Sequence, residues 1–178
     1  MDTFKIKEDL QYLFNRCGLN VSVYVLAADE AIDRDKLVYP IAVVQNSQAL
    51  GKVGMHWISW FIAKDDDCGE YFDSFGLPIW NYPEIKSPVR YLVKENCYPL
   101  QSLFSSVCGQ FCIYFLFNRA SGVSYQKILE KFKSKRYNDR LVRDFEKDIP
   151  VRRLFSGGQS SVSRIKCLKC IKPLCKLD

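Results

Sequence analysis

The sequence predicts an α+β fold, with one domain in residues 1–150 and a C-terminal tail in residues 151–178. Two kinds of pattern in the first 150 residues support this prediction: apolar residues at helical spacing, and short runs rich in β-branched and aromatic residues. The chain has 178 residues, of which 48% are hydrophobic and 14% aromatic, so it can bury a core of ordinary size. This composition argues against a generally disordered chain.

Local patterns predict the individual elements. A first helix is indicated by the helical spacing of Ile6, Leu10, Leu13 and Phe14. Strands are predicted at residues 38–44, 55–63, 70–73 and 89–98, with a polar, glycine-containing hairpin turn at residues 64–69. Three later helices are predicted from their N-caps, which are Ser105 or Ser106, then Ser124, then Asn138.

The only histidine of the chain, His56, has an informative position in the predicted hairpin. His56 opens the strand at residues 55–63, and Asp73 closes the strand at residues 70–73. In an antiparallel pair joined by one turn, the start of the first strand lies beside the end of the second. The imidazole and the carboxylate are therefore expected at the same end of the sheet.

Cys108 is predicted to lie in the first turn of a helix. Unpaired backbone N–H groups and the helix dipole favour a thiolate there, and a nearby imidazolium favours it further. A thiolate that attacks a carbonyl needs donors for the oxyanion, which the Cys108 backbone N–H and the Gln101 side-chain amide can supply. Taken singly, these residues also fit structural roles, because a lone histidine or an inward-facing cysteine is commonly part of a core.

Three motifs occur in a characteristic order along the chain. They are Gly54-Met55-His56-Trp57, then Asp73-Ser74-Phe75-Gly76-Leu77-Pro78, and then Gln101 followed seven residues later by Cys108-Gly109-Gln110-Phe111-Cys112. Together they resemble the adenovirus maturation proteases, the adenain family, which also occurs in virophages and virus-like transposons and shares a superfamily with the SUMO-specific proteases. The resemblance implies a papain-like cysteine protease fold with rearranged chain order, in which a central mixed or antiparallel sheet has helices on both sides.

The resemblance also implies functional residues. The four catalytic residues would be His56 as the base, Asp73 as its partner, Gln101 as the oxyanion donor and Cys108 as the nucleophile. Substrate contacts are implied for Trp57, Gly54 and Gly109, although Trp57 fits a core position equally well. One position departs from the adenoviral pattern, because Asp73 stands where adenoviral enzymes usually carry Glu and SUMO proteases carry Asp.

By the same resemblance, we expect a cysteine endopeptidase that cleaves after small residues, at sites of the Gly-Gly type, in capsid precursors during maturation of a virus or virus-like particle. A protease that removes SUMO or ubiquitin-like modifiers is an alternative, because those modifiers also end in Gly-Gly. A third interpretation, of a different class, is a non-enzymatic nucleic-acid-binding module. The cysteine chemistry requires no cofactor, and no metal site is expected.

The tail carries the whole net charge of +6, because acidic and basic side chains balance in residues 1–150. Its seven basic residues stand against one acidic residue, Asp178. A solvated basic tail and a non-specific contact with DNA both fit this composition. A structural zinc site built on Cys167, Cys170 and Cys175 lacks a fourth ligand nearby.

The tail also contains Gly157-Gly158-Gln159-Ser160. Adenain-type enzymes cleave after such glycine pairs, use DNA as a cofactor and are activated by a short basic peptide with a cysteine. The resemblance therefore implies activation by DNA and by such a peptide, here the chain's own tail released by cleavage after Gly158. Equal full-length masses for wild type and Cys108→Ala would contradict that cleavage. If the tail stays attached as an added strand, the resemblance implies a Cys97–Cys167 disulfide.

The N-terminal residues 1–9 are charged and lack the apolar stretch of a secretory signal. The longest strongly apolar run, around residues 111–117, is too short to cross a bilayer. We therefore expect an intracellular monomer without a membrane partner, located in the virion, in a viral factory, or in the host nucleus or cytoplasm. Most of the eight cysteines are then expected to be thiols.

Overall fold

The fold is described by a computed structural model for residues 2–33, 37–52, 56–64 and 67–149. The helices are α1 (Thr3–Arg16), α2 (Cys108–Ala120), α3 (Tyr125–Leu129), α4 (Lys135–Lys147) and a 3-10 helix (Ile79–Asn81). The strands are β1 (Ser22–Leu26), β2 (Ile41–Asn46), β3 (Trp57–Ile62), β4 (Cys68–Phe72) and β5 (Tyr91–Lys94). The predictions for residues 151–178, including the zinc, DNA and self-cleavage interpretations, lie outside the described residues.

The five strands form one mixed sheet in the order β1-β2-β3-β4-β5. The central pairs β2/β3 and β3/β4 are antiparallel, whereas the outer pairs β1/β2 and β4/β5 are parallel. The predicted hairpin is the β3/β4 pair, in which Ser59 is opposite Phe72. The α+β prediction is therefore confirmed, although β1 was not predicted from its sequence.

Two cores lie on opposite faces of the sheet. On the first face, α1, α2, α3 and α4 cover alternate strand residues, and the rings of Phe72 and Phe115 stack with centroids 4.5 Å apart. On the second face, Ile58, Trp60 and Tyr71 pack under loops and under Ile79 of the 3-10 helix. The resemblance led us to expect helices on both sides of the sheet. In the described residues the four α-helices all lie on the first face, and the second face is covered by loop side chains and the 3-10 helix.

Helix α2 is the central helix of the first core. Most of its side chains are buried because it packs against β3, α1 and α4 at once. Each fully buried large apolar side chain contributes roughly 1.5–3 kcal/mol, so this packing fixes the position of the helix firmly. Its first residue, Cys108, is therefore held in place by the core.

The helix starts differ in part from the predictions. Ser124 caps α3 as predicted, and its hydroxyl accepts a hydrogen bond from the Lys127 N–H at 3.3 Å. The N-cap of α2 is Val107, without a side-chain cap, so the prediction of Ser105 or Ser106 was wrong. The prediction for α4 was also wrong because Ser134 precedes that helix and Asn138 lies inside it, buried.

Asn138 is buried because its side chain bonds to the backbone of other segments. Its Nδ2 donates to the Leu100 carbonyl at 3.0 Å, and its Oδ1 accepts from the Lys133 N–H at 2.9 Å. The short side-chain amide that makes asparagine a good helix cap also lets it bond to the backbone of neighbouring segments, as it does here.

In the described residues, no helix is long and apolar enough to span a membrane.

Gly76 allows a close approach between the turn after β4 and the segment before α2. Its φ is +66°, and its N–H donates to the Asp73 carbonyl at 2.9 Å. A Cβ at this position would lie 2.3 Å from the Tyr98 carbonyl carbon. Only glycine fits there, because both the backbone conformation and the backbone contact exclude a side chain.

Replacing Gly76 with alanine should destabilise the protein much more than the same change at Gly18. Gly18 has the same φ of +66°, but a Cβ added there would have no atom within 4 Å. We expect Gly18→Ala to cost about 1 kcal/mol for the left-handed conformation alone. Gly76→Ala should cost about 3 kcal/mol or more, because the Tyr98 backbone must also move. Urea unfolding of both variants measures the difference, and equal losses would contradict the contact.

Candidate active site

His56 and Asp73 meet at one end of the β3/β4 hairpin. His56 directly precedes β3 and Asp73 directly follows β4, so the antiparallel register brings them together. His56 Nε2 and Asp73 Oδ1 are 2.6 Å apart. Both side chains are buried, with 6% of His56 and none of Asp73 exposed. The predicted juxtaposition is present in the structure as a direct hydrogen bond.

The Asp73 carboxylate accepts three further hydrogen bonds. The Phe75 N–H donates to Oδ1 at 2.8 Å, and the Leu77 N–H donates to Oδ2 at 3.1 Å. The Tyr82 hydroxyl also donates to Oδ2, at 2.8 Å. A buried carboxylate is costly unless it is hydrogen-bonded, and these donors satisfy it while fixing its orientation.

Asn96 holds the backbone of Asp73. Its Oδ1 accepts from the Asp73 N–H at 3.0 Å, and its Nδ2 donates to the Asp73 carbonyl at 2.6 Å. The Tyr125 hydroxyl donates to the carbonyl of Tyr71 at 2.7 Å and lies 3.4 Å from Asn96 Oδ1. Sequence reasoning missed both Asn96 and Tyr82, since neither lies in a periodic pattern or beside a recognised motif.

The imidazole of His56 lies between the carboxylate and the thiol. Its ring packs on Phe75 and Tyr82, with centroid distances of 4.6 and 6.1 Å. Its Nδ1 is buried and makes no hydrogen bond within the described residues. Because Nε2 is occupied by Asp73, Nδ1 is the ring nitrogen that is left to interact with the nearby thiol of Cys108.

Cys108 is the first residue of α2, where the helix has no side-chain cap. Burial raises the pKa of the Cys108 thiol, but the nearby imidazole of His56 and its charge, together with backbone contacts to Trp57 and Gly109, outweigh burial and lower that pKa below its usual 9.0. The uncapped helix start supports the same effect, since its backbone N–H groups favour a negative charge.

The pKa of His56 moves in the opposite direction. Burial disfavours the imidazolium, but the hydrogen bond to Asp73 and the charges of Asp73 and Cys108 outweigh it and raise the pKa of His56 to about 9. A raised histidine pKa and a lowered cysteine pKa together favour the imidazolium–thiolate pair near neutral pH. In general such a pair can act as a nucleophile with an adjacent proton donor.

Gln101 is buried beside the turn that carries the acid. Its Oε1 accepts from the Ser74 hydroxyl at 2.7 Å, and its Nε2 donates to the Ser105 carbonyl at 2.6 Å. An amide nitrogen has two hydrogens, and this is the one bond that Nε2 makes in the described residues. The second N–H makes no hydrogen bond to the described residues.

The remaining residues that the sequence predicted for the site are partly buried in the core, partly exposed and partly outside the described residues. Trp57 lies in the first core, 9% exposed, and Gly109 is buried in the first turn of α2. Cys97 is exposed, while Gly54, Gly157, Gly158 and Cys167 lie outside the described residues. No group of three His, Cys, Asp or Glu side chains in the described parts of the chain is arranged to hold a metal ion.

The mixed sheet and helices have the fold of a cysteine protease. The chain is similar to two crystal structures of the pS273R protease of ASFV, African swine fever virus. The selenomethionine form matches with a TM-score of 0.50 and 16% identity, covering 80% of this chain and 66% of that chain. The other form matches with a TM-score of 0.45 and 15% identity, covering 79% and 65%.

This chain thus spans slightly less than two thirds of the length of those neighbours. No protein-family model matches the chain, and no curated protein matches it. At 16% identity the likeness establishes the fold and leaves the activity to be inferred from the site.

The pKa of His56 should fall when Asp73 is replaced by asparagine. We expect a decrease from about 9 to 6.5 or below, because burial disfavours the imidazolium once the carboxylate is removed. The measurement is direct, since the single histidine gives one set of imidazole NMR signals. Asp144→Asn is the matched control, because Asp144 is exposed and pairs with Lys147. An unchanged His56 pKa in Asp73→Asn would contradict the assignment.

Cys108 should be alkylated first by limiting iodoacetamide at pH 7, although Cys97 is more exposed. The thiolate is the reactive form, and His56 favours it at Cys108. Cys112 should react last, because burial raises the pKa of its thiol well above the usual value. Peptide mass mapping gives the order. His56→Ala should remove the preference, and faster labelling of Cys97 in wild type would contradict an activated thiol.

Proposed function

We propose that this protein is a cysteine endopeptidase. The observation that carries the proposal is the buried contact of 2.6 Å between His56 and Asp73, with the same imidazole facing a thiol at the uncapped start of α2. The opposite pKa changes of His56 and Cys108 are those that nucleophilic catalysis requires. The cysteine protease fold supports the proposal independently of these residues.

The first half of the proposed reaction forms an acyl-enzyme. The Cys108 thiolate attacks the carbonyl carbon of the scissile bond, and the carbonyl electrons move to oxygen. The second Nε2–H of Gln101 and the Cys108 backbone N–H donate to this oxyanion. When the carbonyl re-forms, the C–N bond breaks, and His56 Nδ1 gives its proton to the leaving amine.

The second half restores the enzyme. Neutral His56 accepts a proton from water through Nδ1, and the resulting hydroxide attacks the thioester carbon. The C–S bond then breaks, which releases the carboxylic acid and regenerates the thiolate beside the imidazolium. Asp73 keeps Nε2 protonated throughout, so that Nδ1 is the nitrogen that exchanges protons.

The proposed substrates are precursor proteins of a virus or virus-like element, cleaved after small residues at Gly-Gly sites. The three motifs that resemble the adenain family support this specificity, and the fold shared with a viral protease supports the viral context. Trp57 is buried at the start of β3, next to His56, and glycine pairs are the residues that a narrow cleft beside this strand would accept.

Peptides that contain Gly-Gly should be cleaved by the wild-type chain and left intact by Cys108→Ala. Loss of one oxyanion donor costs about 10²–10³-fold in rate, so we expect Gln101→Ala to lower kcat by that amount. The rate should fall as pH rises through about 9, because His56 then loses the proton of the imidazolium. Mass spectrometry of a peptide library gives the cleavage positions.

Two outcomes would contradict the proposal, one in this cleavage assay and one in a separate labelling experiment with modifier probes. Equal cleavage by wild type and Cys108→Ala would show that another protein causes it. Labelling of Cys108 by ubiquitin-like or SUMO probes, without cleavage of short peptides, would replace the proposed endopeptidase with a deconjugating enzyme.

A further inference from the structure

A groove of about 570 Å³ lies along one face of α4, outside the catalytic residues. Four basic residues of the helix line it: Arg136, Arg140, Arg143 and Lys147. Their spacing of four, three and four residues places all of them on one face of the helix. Clustering of exposed guanidinium groups in a concave surface is typical of a site that binds carboxylate or phosphate.

The arginines of this groove have no acidic partner among the described residues. Lys147 pairs with Asp144 at 2.9 Å, but no ion pair is formed there by Arg136, Arg140 or Arg143. Arg140 instead lies over the Tyr137 ring, 6.0 Å from its centroid. Three guanidinium groups are thus available to an external anion.

The groove adjoins the loop that carries the proposed oxyanion donor. Ser102, the residue after Gln101, lines the groove, and its N–H donates to Asp139 Oδ1 at 3.3 Å. Asn138, one residue earlier in α4, bonds to the Leu100 carbonyl. A polypeptide that reaches Cys108 past this loop can therefore place neighbouring residues on α4.

We propose that the groove binds an acidic segment of the polypeptide substrate, which rests on the proposed protease function. A polypeptide fits better than a nucleic acid, because Asp139 and Asp144 also line the groove. Closely spaced phosphates would meet these carboxylates, whereas the acidic side chains of a peptide can be separated along its length. The groove thus selects substrates with Asp or Glu at a distance from the cleaved bond.

Binding to full-length Cys108→Ala tests the proposal without requiring catalysis. Two fluorescent peptides share a Gly-Gly sequence, and one has a flanking segment of Glu and Asp where the other has Gln and Asn. We expect the acidic peptide to bind about tenfold more tightly by fluorescence anisotropy. Charge reversal of Arg140 and Arg143 to Glu, in the same background, should remove this difference.

Charge reversal of Lys7 and Lys127 to Glu is the matched control. Both side chains are exposed and outside the groove, so the net charge changes equally and the basic tail is retained. This control should keep the preference for the acidic peptide. If the Glu variant of Arg140 and Arg143 fails to fold, as judged by thermal melting, the corresponding Gln variant serves the same purpose.

Three results would contradict the proposed peptide binding in the groove. The first is equal affinity for the two peptides, and the second is an equal loss of affinity for the acidic peptide in both charge-reversed proteins. The third is arginine-dependent binding of a DNA oligonucleotide without binding of the acidic peptide. Failure of the protease function is a separate outcome: the wild-type chain would then cleave neither peptide while Cys108→Ala still showed the arginine-dependent preference. If both peptides are bound equally and are cleaved with equal kcat/KM, the groove does not select acidic substrates, and the proposed protease function still stands.

Discussion

The buried carboxylate of Asp73 is the group on which the rest of the site depends. A carboxylate without solvent is tolerated only when hydrogen bonds and a positive charge compensate for its lost hydration. Here the compensation comes from the turn after β4, from Tyr82 and from the imidazole of His56. Each compensating group is thereby fixed in position, so one desolvated anion determines the geometry of the turn, the phenol and the ring.

The same turn links the acid to the loop before α2. The Ser74 carbonyl accepts the N–H groups of Leu100 and Gln101, and the Ser74 hydroxyl orients the Gln101 side chain. Asn96 adds a second attachment at the Asp73 backbone. The acid and the proposed oxyanion donor are thus parts of one hydrogen-bonded unit, so a displacement of either would be transmitted to the other.

The parts of the site that the sequence could predict are those with local signals. The hairpin pattern placed His56 beside Asp73, and the apolar run after Cys108 placed that thiol at a helix start. Tyr82 could not be predicted, because its contact with Asp73 depends on the path of a proline-rich loop across the sheet. Asn96 was equally hidden, since it acts on a backbone 23 residues away.

The predicted fold class was correct, while some boundaries and one strand were not. Asn138 was wrongly interpreted as a cap, because a short amide side chain bonds equally well to helix ends and to neighbouring backbone. The Asn138 error thus arises where tertiary contacts decide between equal local preferences. Strand β1 was missed although Val23, Tyr24 and Val25 carry the β-branched and aromatic signal of a strand. Its side chains pack on both cores, so its sequence lacks the alternation of apolar and polar residues.

The start of α2 is stabilised by packing and has no side-chain cap. Val107 stands at the N-cap, is 2% exposed and belongs to the first core. A serine or aspartate in its place would gain about 1 kcal/mol from a cap hydrogen bond, but it would lose this apolar packing and bury a polar group. It would also occupy backbone N–H groups and, if acidic, would compete with the thiolate for the helix dipole. Stability and reactivity therefore favour the same apolar residue at Val107, which leaves the first turn of the helix to the anion.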